Sequence, residues 1–231
     1  MEALDNSYAI FREKHARIQA RREKLAAATN GHINGHANGN ANGQANGKSD
    51  SKAAVTISDF DYNIFHSPYG KLVQKGHARL LYNDFVSSPS DPKFASVPSP
   101  SELLALSPAE ALTSKPLEKA FVALAGPDFK ARVTASMSLA KRCGNMYTAS
   151  LYGGLASVLA NVDPAELKGK RLSLFAYGSG CASSFYAIRV RGDTTEIREK
   201  IDLHRRLQSM KVVPCQDYVD ALKVSLFSLI S

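Results

Sequence analysis

From about Thr29 to Lys52 the composition collapses to Asn, Gly, Ala and His, with Asn-Gly recurring. No other stretch constrains the possible fold as much. Such side chains cannot bury enough apolar surface to offset the entropy of ordering a chain, so the tract is predicted to be a disordered spacer. Any packed core is thereby confined to its flanks. The predicted organisation is an N-terminal amphipathic helix over 1–27, a disordered Asn/Gly-rich linker over 28–53, and a folded domain over 54–231. His32 and His36 lack acidic or thiolate neighbours and read as tract composition, not as metal ligands.

In the N-terminal helix, Ala3, Ile10, Ile18 and Leu25 fall roughly on one side. With so few large apolar anchors, a free and partly frayed helix would show the same pattern. Beyond Ala54, residues 60–65 read as a strand feeding a helix of about 68–86, with Ser67 as N-cap and Pro68 at its first position. Residues 87–101 read as a Ser/Pro loop, and 116–125 as a short helix stopped by Gly126-Pro127. Residues 146–160 are apolar almost all round, the mark of a buried helix, and Ala149, Gly153, Gly154 and Ala156 permit close approach by neighbours. Two apolar strands, 172–177 and 183–190, are joined through Gly178-Ser179-Gly180, most simply as a hairpin. A charged helix over 194–210 follows. Alternating strands and helices imply an α/β domain.

The net charge of +8 over 231 residues points to an anionic partner without naming it. No nucleic-acid motif and no aromatics interleaved with a long basic stripe accompany that charge. Cys143, Cys181 and Cys215 form no CxxC pair and no metal spacing with the six histidines, and an odd, sparse set suits a reducing compartment. No run reaches the roughly 20 apolar residues of a membrane span. Glu2, Asp5, Glu13 and Glu23 speak against a mitochondrial presequence, so a cytoplasmic location is expected.

The chemistry concentrates in residues 65–75, Phe-His-Ser-Pro-Tyr-Gly-Lys-Leu-Val-Gln-Lys. His66 would end the incoming strand beside the positive end of the next helix. Lys71, Lys75 and Arg79 recur at i, i+4 and i+8 on one helical face, where they could hold the phosphates of an extended ligand. On spacing alone, a stripe of this kind more often faces water. Asn145 after Gly144 could simply cap the helix that follows, Ser179 could be ordinary hairpin chemistry, and a lone histidine is more often structural than catalytic.

The wording of three blocks shifts that balance. Residues 60–85, then Gly144-Asn145-Met146-Tyr147-Thr148 running into Ala149-Ser150-Leu151-Tyr152-Gly153, then Phe175-Ala176-Tyr177-Gly178-Ser179-Gly180, resemble the hydroxymethylglutaryl-CoA synthase family in the same order. The resemblance spans roughly 54–223 and, more loosely, 2–25. It implies one half of a thiolase-like layered αβαβα fold, with the low-complexity tract as an insertion of filamentous-fungal type. It implies condensation of acetyl-CoA with acetoacetyl-CoA, in isoprenoid or specialised fungal metabolite biosynthesis. CoA esters would be substrates, and no cofactor or metal is expected.

Residue by residue, the resemblance implies that His66 contacts the acetoacetyl group and polarises its ketone oxygen. Lys71 and Lys75 would bind CoA, Asn145 would hydrogen-bond the acyl substrate, and Ser179 would line the same pocket and offer a backbone amide to an oxyanion. The family's acyl-carrying cysteine and catalytic glutamate are implied to lie upstream of the region resembling 2–25, and its last segment beyond 223. The chain is therefore expected to be a truncated C-terminal-half homologue. It would need a partner, a full-length or complementary synthase half, to condense acyl groups. The alternatives are a non-catalytic CoA-ester-binding or regulatory paralogue and a decayed paralogue. Neither a nucleic-acid nor a membrane partner is expected.

Overall fold

The computed structural model describes residues 1–31, 54–178 and 182–228. In chain order the regular elements are α1 (Glu2–Gly31), β1 (Tyr62–Phe65), α2 (Gly70–Ser87), α3 (Pro100–Ala105), α4 (Pro108–Thr113), α5 (Lys115–Leu124), α6 (Gly126–Arg132), α7 (Ser138–Cys143), α8 (Ser150–Asn161), α9 (Pro164–Leu167), β2 (Arg171–Tyr177), β3 (Ser183–Arg189), α10 (Thr195–Ile201), α11 (Leu203–Gln208) and α12 (Cys215–Ser228). Helix α1 runs to Gly31, into the tract expected to be a spacer; the rest of that tract, with His32 and His36, lies outside the described residues.

The three strands form one sheet in the order β1-β2-β3. Strand β1 pairs parallel with β2, from Tyr62 opposite Leu172 to Phe65 opposite Phe175. Strand β3 returns antiparallel, with Tyr177 opposite Ser183, so the expected hairpin forms. Successive strand residues point to opposite faces. Phe65, Phe175 and Phe185 enter the core cluster that contains Leu4, Tyr8, Leu80 and Phe85, while Ile64, Leu172 and Leu174 pack with Leu151 and Val158 of α8. The sheet is thus covered by α1 and α2 on one face and by α8 on the other.

Helix α1 is part of this core, through a different stripe from the one expected. Ile10, Ile18 and Leu25 are exposed, whereas Leu4 and Tyr8 are buried and Phe11 packs against them. The Phe11 and Phe185 rings lie 5.0 Å apart and the Tyr8 and Phe185 rings 5.2 Å apart. Tyr8 Oη donates to Asp84 Oδ1 at 2.8 Å, and the Ile57 amide donates to Asp84 Oδ2 at 2.9 Å. Burial pushes the Asp84 carboxyl above its ordinary range and outweighs both donors.

Helix α2 begins at Gly70, after an extended Tyr69, and not at Pro68. The His66 amide donates to the Phe175 carbonyl at 2.8 Å, which carries strand pairing one residue past β1. The buried Ser67 hydroxyl turns toward Met137 Sδ at 3.8 Å instead of capping the helix. Gly126-Pro127 does close α5, but it also opens α6, since proline suits a first helical turn. The Ser/Pro loop contains a 3-10 turn at Pro92–Phe94, and α3 starts at its end. The charged helix breaks into α10 and α11 at Asp202, which adopts a left-handed φ of 43°.

The expected helix of 146–160 is a 3-10 turn, Tyr147–Ala149, followed by α8. Its inner face is as tight as the small residues imply: a Cβ on Gly154 would stand 2.7 Å from Ile64 Cγ2. It is not buried all round, because Tyr147 and Tyr152 are 77% and 65% exposed. Among the described residues no helix is long and apolar enough to cross a membrane.

Candidate functional site

An open cleft of about 720 Å³ lies at the carboxyl ends of β1 and β2, on the α8 side of the sheet. Ligands of α/β folds commonly sit at that end of parallel strands. His66, Asn145, Tyr147, Tyr152, Tyr177 and Ser183 are among its lining residues. His66 owes its place to the parallel pairing that fixes its amide on Phe175. Its imidazole meets the Tyr177 ring edge to face at 5.4 Å. Burial lowers the His66 pKa from its ordinary 6.5, so near neutral pH the ring is uncharged. A neutral imidazole offers one N–H donor and one acceptor nitrogen. It is suited to hydrogen-bond a developing alkoxide without bringing a full charge.

The sign of that shift gives a testable pH dependence. The folded state binds the His66 proton less readily than the unfolded chain, so the contribution of His66 to stability is lost as pH drops from about 6.5 through the folded-state value and is constant above 6.5. Proton NMR should show a His66 ring resonance, assigned by its loss in His66→Gln, that titrates below 6.5.

Asn145 sits between α7 and the Tyr147–Ala149 turn. Its Oδ1 accepts the Tyr147 amide at 2.8 Å and the Ser150 hydroxyl at 3.4 Å. The carboxamide oxygen therefore does the local capping work foreseen for it, and its Nδ2 is the end left to address a ligand. That turn holds Tyr147 at φ 51° after Gly144 at φ 70°, placing the exposed phenol at the cleft mouth. Burial raises the Tyr177 phenol pKa, with neighbouring Tyr69 adding to it, so the hydroxyl keeps its proton and can donate.

The expected basic stripe separates into three environments. Lys71, on the first turn of α2, is exposed and makes no ion pair with the described residues. Lys75 Nζ lies 3.0 Å from Glu118 Oε1. Arg79 is buried and structural: Nε reaches Asp5 Oδ1 at 2.9 Å, Nη2 reaches Asp5 Oδ2 at 2.8 Å, and Nη1 reaches the Ala111 carbonyl at 2.7 Å. It is not available to phosphate. Neither lysine lines the cleft; both stand on α2, which follows directly from the His66 strand.

Ser179 and Cys181 lie outside the described residues. Cys143 and Cys215 are exposed thiols, and neither lines the cleft. Among the described residues lining it there is no cysteine, aspartate or glutamate. The sequence reading missed the four lining tyrosines, 147, 152, 177 and 186. For Tyr177 the signal was present, because strand alternation aligns it with Phe175 beside the end of β1. A hollow of similar size, about 740 Å³, lies near α9 to α11, but Asp163, Lys168, Asp193, Arg198 and Glu199 give it charges of both signs and no expected site residue lines it. No group of three or more metal-ligating side chains occurs among the described residues.

Residues 37–226 match the family described as hydroxymethylglutaryl-coenzyme A synthase C terminal. The chain is 51% identical over 222 residues to a hydroxymethylglutaryl-CoA synthase of Ganoderma lucidum, covering 96% of this chain and 42% of that protein. It is 52% identical over 220 residues to one from Mycosarcoma maydis, covering 95% and 43%. It thus spans about two-fifths of the length of these fungal relatives. Among solved structures, "MvaS in complex with 3-hydroxy-3-methylglutaryl coenzyme A" superposes with a TM-score of 0.53 at 29% identity, over 71% of this chain and 34% of that one. The α/β architecture is accordingly half of a thiolase-like layered fold. This chain belongs to the hydroxymethylglutaryl-CoA synthase family and corresponds to the C-terminal part of its members.

Proposed function

We propose that this chain forms the ligand-gripping, oxyanion-stabilising side of an acyl-CoA condensing site of the acetyl-CoA plus acetoacetyl-CoA type. The observation that carries the reading is the make-up of the cleft. An imidazole, a carboxamide, phenols and hydroxyls line it, and among the described residues neither a thiol nor a carboxylate does. Hydrogen-bond donors of this kind stabilise oxygen atoms on which charge develops. A condensation also needs a nucleophile to carry the acyl group and a base to form the carbanion. In this reading a partner polypeptide supplies the cysteine and the glutamate. His66 donates to the ketone oxygen as it becomes an alkoxide, and Asn145 Nδ2 holds the acyl carbonyl. Lys71 and Lys75 hold the CoA phosphates outside the cleft. The product would feed isoprenoid or specialised fungal metabolite synthesis.

The same cleft composition favours a second reading, a CoA-ester-binding or regulatory homologue that acts on a complete synthase. Both readings require phosphate binding on α2. Calorimetric titration with CoA should show affinity falling about ten-fold for each of Lys71→Ala and Lys75→Ala, the weight of one charge-assisted hydrogen bond. Unchanged binding in the double variant would remove the phosphate grip. Condensation measured on mixing the chain with a cysteine- and glutamate-bearing partner separates the two readings. Product that depends on His66 supports the first, and product no greater than with partner alone supports the second.

A further inference from the structure

Lys75 already has an anion, and that anion has a second cation within reach. Glu118 Oε1 lies 3.0 Å from Lys75 Nζ and 3.8 Å from Lys115 Nζ. The Lys75 and Glu118 side chains are each about one-third exposed (33% and 36%), while Lys115 is 80% exposed and free to follow the carboxylate. Glu118 is also in the first turn of α5, where the helix dipole favours a negative charge whichever lysine it faces. Lys71, one turn earlier on α2, has no such counter-ion among the described residues.

We propose that Glu118 is a built-in competitor for the CoA phosphate at Lys75, and that it transfers to Lys115 when the phosphate binds. The inference rests on the reading that Lys71 and Lys75 grip CoA, and it assigns a role to a carboxylate outside the cleft. In the empty state Glu118 neutralises Lys75, so that stray monoanions find only Lys71 fully charged. A CoA phosphate must displace Glu118, and the nearby ammonium of Lys115 keeps that displacement from stranding a carboxylate beside the incoming anion. The pair is partly exposed to solvent, so the competition is worth a few-fold in affinity and is screened by salt.

The test is a double-mutant cycle on the full chain, with CoA as probe and calorimetry as readout, at low and at physiological ionic strength. Glu118→Gln should tighten CoA binding about three-fold at low salt. Lys115→Gln, which leaves Glu118 only one cation, should weaken it. In a Lys75→Ala background, Glu118→Gln should give no gain, because there is no ammonium left to compete for. That cycle isolates the pairwise coupling from a general change in field. The proposal is overturned if Glu118→Gln leaves affinity unchanged while Lys75→Ala weakens it, or if the gain persists without Lys75. If the unmodified chain binds no CoA, the phosphate-grip reading falls, and this one with it.

Discussion

Replacing Arg79 with alanine should lower the unfolding free energy by about 3 kcal/mol, measured by urea denaturation. The guanidinium joins three elements at once. It makes a bidentate pair with Asp5 of α1, donates to the Ala111 carbonyl of α4, and stacks over the Tyr82 ring of its own helix at 4.8 Å. Removing it leaves Asp5, four-fifths buried, with the Asn83 amide as its remaining donor among these contacts, and leaves the Ala111 carbonyl without its guanidinium donor. An unpaired carboxylate in that setting costs far more than the loss of one exposed pair. A stability loss within error of zero would mean that α1 is not held as described. The CoA affinity of the remaining folded protein should be unchanged, which sets Arg79 apart from the two lysines that precede it on α2.

Gly154→Val should cost about 3 kcal/mol, and Gly153→Ala much less, in thermal or chemical denaturation of the two variants. A Cβ at 154 would sit 2.7 Å from Ile64 Cγ2, and Ile64 is 1% exposed on a strand bonded to β2. Neither side can yield without moving β1 away from α8. At 153 the close atom is Met146 Cε at 2.6 Å, the far end of a flexible side chain that can swing aside. The contrast tests whether α8 is clamped against β1 as the geometry requires. It also bears on the cleft, since β1 leads into His66 and the turn before α8 carries Asn145. Widening that gap should therefore lower ligand affinity as well as stability.

The sheet and its hairpin were legible because apolar runs of strand length were bounded by glycine and serine, and because small residues in α8 announced a close neighbour. The buried face of α1 was not. Tyr8 counts as half-polar in any periodicity argument, and its burial depends on Asp84, 76 residues away, to accept its hydroxyl hydrogen. The same long-range dependence hid the role of Arg79, whose spacing fits a surface stripe until Asp5 is placed opposite it. The start of α2 was misjudged because local capping chemistry at Ser67-Pro68 lost to strand pairing through the His66 amide.

Of the residues picked out by wording and spacing, His66 and Asn145 line the cleft and Lys71 and Lys75 stand outside it on α2; their environments could not be read from the sequence. The capping of Asn145 Oδ1 depends on the left-handed backbone of Tyr147. The neutralisation of Lys75 depends on Glu118, 43 residues downstream on a different helix.

Helix α1 is seated by the Tyr8 hydroxyl, the Asp5 carboxylate and the rings of Tyr8 and Phe11, all of which recognise partners beyond residue 54. Loss of any one of Asp5, Tyr8 or Phe11 should therefore loosen α1 from the sheet and bare the Phe60 and Phe185 rings to water.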